Sequence, residues 1–208
     1  MKRNLIAALA ASVMLAALAL PAPAANIVDE WGGIQTPPAP ALKPVTVDPK
    51  TTALLMLDFM NQNCGKRPRC VASVPAMKKL LEQARAAKVA VVYSIIANTT
   101  TADVIKDVAP LAGEPHVQSG PDKFLRSDLE KILKDKGITT VIVAGTAANG
   151  AVLYTASGAA FRGMNVIVPV DGLSAVEAYA ELASVFMFMN APQVSAKTTL
   201  TKSEMIKF

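Results

Sequence analysis

Short apolar segments alternate with segments of helical periodicity along the chain after Pro49. The segment 52–58 is apolar almost to its final Asp58, which is typical of a strand buried on both faces of a sheet. Between residues 75 and 88, apolar side chains recur every three or four residues, which predicts an amphipathic helix. The same criteria predict strands at 52–58, 89–96, 116–118, 139–144, 165–170 and 193–200, and helices at 75–88, 102–111, 127–136, 150–161 and 174–189.

This order of elements predicts one α/β domain. Helices that alternate with apolar strands favour a three-layer α/β/α fold, with a mainly parallel, doubly wound sheet of about six strands. In such sheets, ligands bind beyond the carboxyl ends of the strands. Three stretches follow strands directly and are therefore candidates for a site, namely residues 58–63, 118–123 and 145–151.

The first 50 residues differ from the rest of the chain. Lys2 and Arg3 precede an apolar run over residues 5–20, and small residues follow as far as Ala24, which is the layout of a secretory signal. We expect cleavage after Ala24, a periplasmic or secreted protein, and no membrane attachment of the mature chain. Residues 25–50 contain five prolines and are expected to form an extended arm, with the domain at residues 51–208.

The net charge bears on nucleic-acid binding, and the two cysteines bear on a disulfide or a reactive thiol. The formal charge of +5, part of which falls in the leader, predicts no nucleic-acid binding. Because export is expected, Cys64 and Cys70 are expected to form a local disulfide. The alternative is a reactive thiol activated by the basic residues between and beside them.

Two charged residues and one turn are candidates for chemistry. Asp58 ends the first predicted strand, where a carboxylate is either functional or a turn former. Lys123 follows the third predicted strand and is either a surface lysine or a site residue. The turn from Gly145 to Ala151 links a strand to a helix, so that its backbone N–H groups suit an anion or an oxyanion.

Three motifs give the chain a resemblance to a known family. They are Leu-Leu-Met-Leu-Asp-Phe-Met-Asn ending at Asn61, Phe-Leu-Arg-Ser-Asp-Leu ending at Leu129, and Gly-Thr-Ala-Ala-Asn-Gly-Ala-Val-Leu-Tyr-Thr-Ala from Gly145. Through them, residues 51–199 resemble the isochorismatase-like cysteine hydrolases, which include nicotinamidases, isochorismatases and carbamoyl-amidases. The resemblance implies no cofactor, a small amide, carbamoyl or vinyl-ether substrate, and a homo-oligomer.

The resemblance also implies a set of catalytic groups. The family uses an Asp as general base and acid, a Cys thiolate as nucleophile and a Lys that supports both charges. Asp58 takes the place of the Asp. The oxyanion donors become the amides of Ala147 and Ala151, next to a cis peptide bond between Thr146 and Ala147.

The lysine and the substrate contacts are less direct. Gln118 aligns best with the family lysine, whereas Lys123 lies nearby but displaced, and both alternatives stay open. Asn61 and Asn149 fall on the same rim and are candidates for substrate contacts. The nicotinamidase branch also places an Asp and two His after the Asp58 region. This stretch has none, and the only histidine is His116, so no metal is expected.

The nucleophile position itself departs from the family. Ala151 stands where the family has its Cys, and Ala148 where it has a Thr. One interpretation is a hydrolase with non-standard chemistry, in which Asp58 activates water or Cys64 serves as a substitute nucleophile. A second is a non-catalytic small-molecule-binding protein on the same fold. A third is an oligomeric structural protein, with the apolar run 185–189 at an interface rather than in the buried helix that we favour for it.

Overall fold

The computed structural model describes residues 26–208, and the predicted leader, residues 1–24, lies outside them. The chain divides into two units, one ending at Ala39 and one running from Pro40 to Phe208. In the first unit, α1 (Ile27–Glu30) is capped by Asn26, whose side chain accepts a hydrogen bond from the Val28 amide at 2.9 Å. A 3₁₀ turn, Trp31–Gly33, follows α1, and the remaining elements belong to the second unit.

A seven-stranded sheet forms the centre of the second unit, and every strand pairing in it is parallel. Its strands are β2 (Thr52–Leu57), β3 (Ala90–Ile95), β4 (His116–Gln118), β5 (Thr140–Thr146), β6 (Asn165–Pro169), β7 (Leu173–Ser174) and β8 (Thr198–Thr201). The order is β4-β3-β2-β5-β6-β8, with the two-residue β7 paired to the end of β5. The predicted α/β class is confirmed, and β7 accounts for the strand beyond the predicted six.

Helices cover both faces of this sheet. One face packs on α2 (Pro68–Ala86), whose apolar stripe includes Met77 and Leu81. The other face packs on α3 (Leu129–Asp135), α4 (Leu153–Phe161) and, through Phe188, α5 (Ala178–Asn190). A hydrophobic core lies on each side of the sheet. The strands contribute side chains to both cores, because successive side chains of a strand point to opposite faces.

The end of the predicted arm joins the domain. β1 (Val45–Thr46) pairs in parallel with β9 (Ile206–Lys207), in a separate two-stranded sheet. No helix among residues 26–208 combines the length and the hydropathy that a membrane crossing requires.

Two predicted helices differ from the structure. The helix predicted at 102–111 is wrong, since only the short 3₁₀ turns Thr101–Asp103 and Lys106–Val108 form there. The backbone bonds of this segment go to the loop after β2 instead: the Ile105 amide donates to the Phe59 carbonyl at 2.8 Å. The helix predicted from residue 75 begins seven residues earlier, with Pro68 at its first position, where a proline is tolerated.

The apolar run 185–189 is also more exposed than expected. Phe188 is fully buried, but Phe186 and Met189 are 47% and 45% exposed. The expectation of a buried core helix is therefore wrong for three of the five residues, Phe186, Met187 and Met189, because α5 lies at the outer surface of its layer.

Candidate active site

A buried ion pair lies at the carboxyl end of the central strand. Asp58 follows β2 directly and adopts the left-handed region, φ 56°, which Asp tolerates better than most residues. Its Oδ2 accepts a hydrogen bond from Lys123 Nζ at 2.8 Å, and its Oδ1 accepts one from Ser94 Oγ at 2.6 Å. Asp58 is 6% exposed and Lys123 1% exposed. The ammonium and the carboxylate are thus held together away from water, and the charged hydrogen bond between them fixes their relative geometry.

The loop before α3 positions Lys123 in this pair. The backbone amide of Lys123 donates to Thr155 Oγ1 of α4 at 3.1 Å, and its Nζ also donates to the Ser119 carbonyl at 3.3 Å. Gln118 is exposed, and its side-chain amide donates to the Ile96 carbonyl at 2.8 Å. The structure thus brings the side chain of Lys123 into contact with Asp58, whereas the side chain of Gln118 bonds to the backbone of Ile96.

The turn after β5 lies beside this pair. Gly145 aligns with Leu57 across the two central strands, so Thr146 follows level with Asp58. A side chain on Gly145 would meet the Leu57 carbonyl oxygen at 2.1 Å, which leaves room only for glycine. The peptide bond between Thr146 and Ala147 is cis, at the bond that the resemblance indicated.

A single wide helical turn, Ala148–Val152, then leads into α4. The Ala147 carbonyl accepts hydrogen bonds from the amides of Gly150 and Val152, at 2.9 and 3.2 Å. Ala151 lies in this turn and is 4% exposed. Its side chain is a methyl group, so the residue offers only its backbone amide for chemistry.

The two candidate asparagines lie at the rim of the site. Both side chains are exposed, and the Asn61 backbone amide donates to the Asp103 carbonyl at 2.9 Å. Asn149 is carried by the wide turn itself. The structure thus leaves both side chains in contact with solvent, and their part in substrate binding stays a prediction.

The two cysteines form a disulfide. Cys64 and Cys70 are joined, with their Cα atoms 5.2 Å apart, and the described residues contain no free cysteine. The alternative of a Cys64 thiol as substitute nucleophile is therefore wrong for this structure, because a sulfur in a disulfide cannot attack a substrate. Residues 26–208 also contain no group of three His, Cys, Asp or Glu side chains placed to hold a metal ion.

Two residues of the site were not found from the sequence. Ser94 is a single polar residue in the apolar strand β3, and that break in the pattern was a signal of a buried partner. Arg67 Nη1 donates to Thr146 Oγ1 at 3.0 Å, next to the cis peptide. Its partner is 79 residues away in sequence, and no local pattern indicated the contact.

The family model described as the isochorismatase domain matches residues 52–201, and the chain belongs to the isochorismatase family of hydrolases. No curated protein sequence matches the chain significantly.

Solved structures are similar in fold. A cysteine hydrolase from Pseudomonas syringae pv. phaseolicola 1448A has 21% identity and a TM-score of 0.68, over 80% of this chain and 95% of its own. N-carbamoylsarcosine amidase from Thermoplasma acidophilum has 23% identity and a TM-score of 0.64, over 74% of this chain and 97% of its own. Nicotinamidase from Bacillus subtilis has 16% identity and a TM-score of 0.65, over 73% and 100%. At these identities the likeness shows the fold alone.

Proposed function

We propose that the protein hydrolyses a small molecule by proton transfer through Asp58, without a covalent thioester intermediate. The observation that carries the proposal is the buried contact of 2.8 Å between Asp58 Oδ2 and Lys123 Nζ. The acid–base group of the family is retained with a cationic partner, while Ala151 removes the nucleophile. The chemistry that remains is general acid–base catalysis.

Vinyl-ether hydrolysis makes the smallest demand on such a site. Asp58 in its acid form gives its proton to the terminal carbon of the vinyl group, and the ether carbon becomes an oxocarbenium ion. Water adds to that carbon and returns a proton to the Asp58 carboxylate, which Lys123 stabilises. The resulting hemiketal divides into a carbonyl compound and an alcohol, and no protein nucleophile takes part.

Amide or carbamoyl hydrolysis demands more of the same residues. Asp58 would take a proton from water as the water attacks the carbonyl carbon, and the amides of Ala147 and Ala151 would hold the oxyanion. Asp58 would then pass the proton to the leaving nitrogen. Since water is a weaker nucleophile than a thiolate, we place this substrate class second.

Export and self-association belong to the same proposal. The disulfide supports an oxidising compartment, periplasmic or extracellular, because such bonds persist there. The exposed apolar side chains of α5, among them Phe186 and Met189, support a homo-oligomer.

The test is turnover of isochorismate, nicotinamide and simple N-carbamoyl compounds by the purified protein. Asp58→Asn should lower turnover at least about 100-fold, the scale typical of a lost general acid–base group. Asp107→Asn is the matched control, because Asp107 is exposed in a 3₁₀ turn outside the site. An Asp58→Asn variant as active as Asp107→Asn would contradict the proposal.

The second candidate is a non-catalytic binding protein on the same fold. Its support is the loss of two family positions together, Ala148 and Ala151, in a turn that is otherwise retained. In that case the wild type turns over no compound of the panel. A small carboxylate or amide then still raises the melting temperature, because it binds the folded state. Ala151→Cys should next be tested for a gain of thiol-dependent turnover.

A further inference from the structure

Arg67 is held beside the candidate active site by its own sequence context. It is the residue before α2, and Pro68 at the first helical position restricts it to extended backbone, φ −115° and ψ 107°. Its amide donates to the Cys64 carbonyl at 2.9 Å. The backbone that carries the Arg67 side chain is therefore fixed before any ligand arrives.

The loop that carries Arg67 is rigid as well. The disulfide closes it at Cys64 and Cys70, six residues apart. Asn63 Oδ1 accepts a hydrogen bond from the Cys64 amide at 2.6 Å, and the Gly65 amide donates to the Met60 carbonyl at 3.1 Å. Binding of a ligand to Arg67 therefore costs little conformational entropy, because this loop is already ordered.

The charge of Arg67 lacks an acidic partner. Three other arginines of the described residues form ion pairs with glutamates, namely Arg69, Arg85 and Arg162. No carboxylate among residues 26–208 lies within 4.0 Å of the Arg67 guanidinium, and residues 1–25 contain no Asp or Glu. Because Asp58 and Lys123 neutralise each other, the half-buried Arg67 leaves this region with a net positive charge.

One hydroxyl group contacts the guanidinium, and a second lies on the adjacent strand β7, where Ser174 is the register partner of Thr146. Thr146 Oγ1 accepts from Arg67 Nη1 at 3.0 Å and donates to the Ser174 carbonyl at 3.2 Å. Ser174 Oγ is buried and has no hydrogen-bond partner among the described residues. Leu173 packs in the core on the α4 side, so strand alternation directs Ser174 to the α2 side, where Arg67 lies. A buried hydroxyl without a hydrogen-bond partner destabilises the fold unless a ligand or a water molecule forms a hydrogen bond with it.

We infer that Arg67, positioned by its hydrogen bond to Thr146, forms with the Ser174 hydroxyl a subsite for a carboxylate of the substrate. The inference rests on the proposed function, since it concerns the substrate of the Asp58 site. The guanidinium offers a planar fork that matches two carboxylate oxygens, and the serine offers a further donor. The substrate class is thus a small anionic molecule, with a carboxylate on one side of its hydrolysable bond.

The test compares N-carbamoylglycine with N-carbamoylglycinamide, which differ only by the negative charge. Binding is measured by calorimetry on the wild type and on Asp58→Asn, and turnover on the wild type. We expect the wild type to bind the carboxylate about tenfold or more tightly than the neutral amide, as a charged hydrogen bond provides. Arg67→Met should abolish that preference in binding and in KM, while Arg67→Lys keeps the charge and retains part of it.

Lys66→Met is the matched control, because Lys66 lies exposed in the same loop and its loss removes the same unit of charge. It should leave the preference unchanged. Ser174→Ala should weaken carboxylate binding and leave binding of the amide unchanged.

The outcomes separate this inference from the proposed function. An Arg67-dependent preference for the carboxylate supports the subsite, even if the wild type turns over neither compound and hydrolysis is thereby disproved. Turnover without such a preference overturns the subsite and leaves hydrolysis standing. A wild type that binds neither compound, or an Arg67→Met variant that keeps the preference, also overturns the subsite.

Discussion

The buried pair of Asp58 and Lys123 should make the stability of the domain sensitive to the loss of either charge. We consider Lys123→Met, which replaces the ammonium by an apolar group of similar length. The remaining carboxylate then stays 6% exposed, with Ser94 as its hydrogen-bond partner. Such an uncompensated buried charge is the most costly result of breaking an ion pair.

The magnitude follows from the geometry. At 2.8 Å between Nζ and Oδ2, two unit charges attract by about 6 kcal/mol at an effective dielectric constant of about 20. Part of that attraction offsets the cost of burying the lysine, so the net loss on removing one partner is about 3–5 kcal/mol. A domain of this size melts about 2–4 °C lower for each kcal/mol lost, so the melting temperature should fall by roughly 10 °C.

The assay is a double-mutant cycle measured by urea denaturation under oxidising conditions. Asp58→Asn and Lys123→Met should each destabilise the fold, whereas the double variant should lose much less than the sum, because neither charge is then left alone. Gln118→Met is the control at the competing position. It should change the free energy of unfolding by less than about 0.5 kcal/mol, since Gln118 is exposed. A loss below about 1 kcal/mol in Lys123→Met, or additive effects in the cycle, would refute the reasoning.

Three further predictions concern other parts of the fold. Gly145→Ala should prevent stable folding, because its methyl group would overlap the Leu57 carbonyl. Circular dichroism of the purified variant tests this. The control is Gly137→Ala, because a methyl group at Gly137 meets no other atom. Replacing both cysteines of the disulfide by serine should lower the free energy of unfolding by about 2 kcal/mol, the loop-closure term for so short a loop, and an unchanged urea midpoint would contradict it. Hydrogen bonds from Lys134 and Arg162 lower the pKa of Glu130 to about 2, so its stabilising effect is present above about pH 4.5 and is lost as the pH falls towards 2. Urea midpoints of the wild type and of Glu130→Gln should therefore converge over that range, and a constant difference would count against the ion pairs.

The sequence predicted the elements whose signal is local. The strands at 52–58 and 139–144 are apolar runs that need no knowledge of their neighbours, and both appear in the sheet as expected. The segment 102–111 had the composition of a short helix. Its backbone groups instead bond to the loop after β2, a tertiary contact that no local propensity contains.

The same distinction applies to the site. Asp58 could be found because it ends an apolar strand, and the turn from Gly145 because its motif is continuous in the chain. Lys123 could not be separated from Gln118, since the choice depends on how the loop before α3 folds against Thr155. The sequence places Arg67 only beside the cysteines. Its contact with Thr146 joins two residues that are 79 positions apart in the chain, so no local pattern indicates it.

The strand order of the sheet also has a consequence for the time course of synthesis. β2 can pair with β3 as soon as Ile95 has emerged. Its other neighbour is β5, where the partner of Thr52 is Thr140, which is synthesised 88 residues after Thr52. At about 5–20 residues per second, the central strand keeps one open edge for about 4–18 s. Every side chain of β2 is apolar except Thr52, so this edge invites pairing with a second nascent chain. Protection of that strand during synthesis is therefore as much a requirement of the fold as the packing of the finished core.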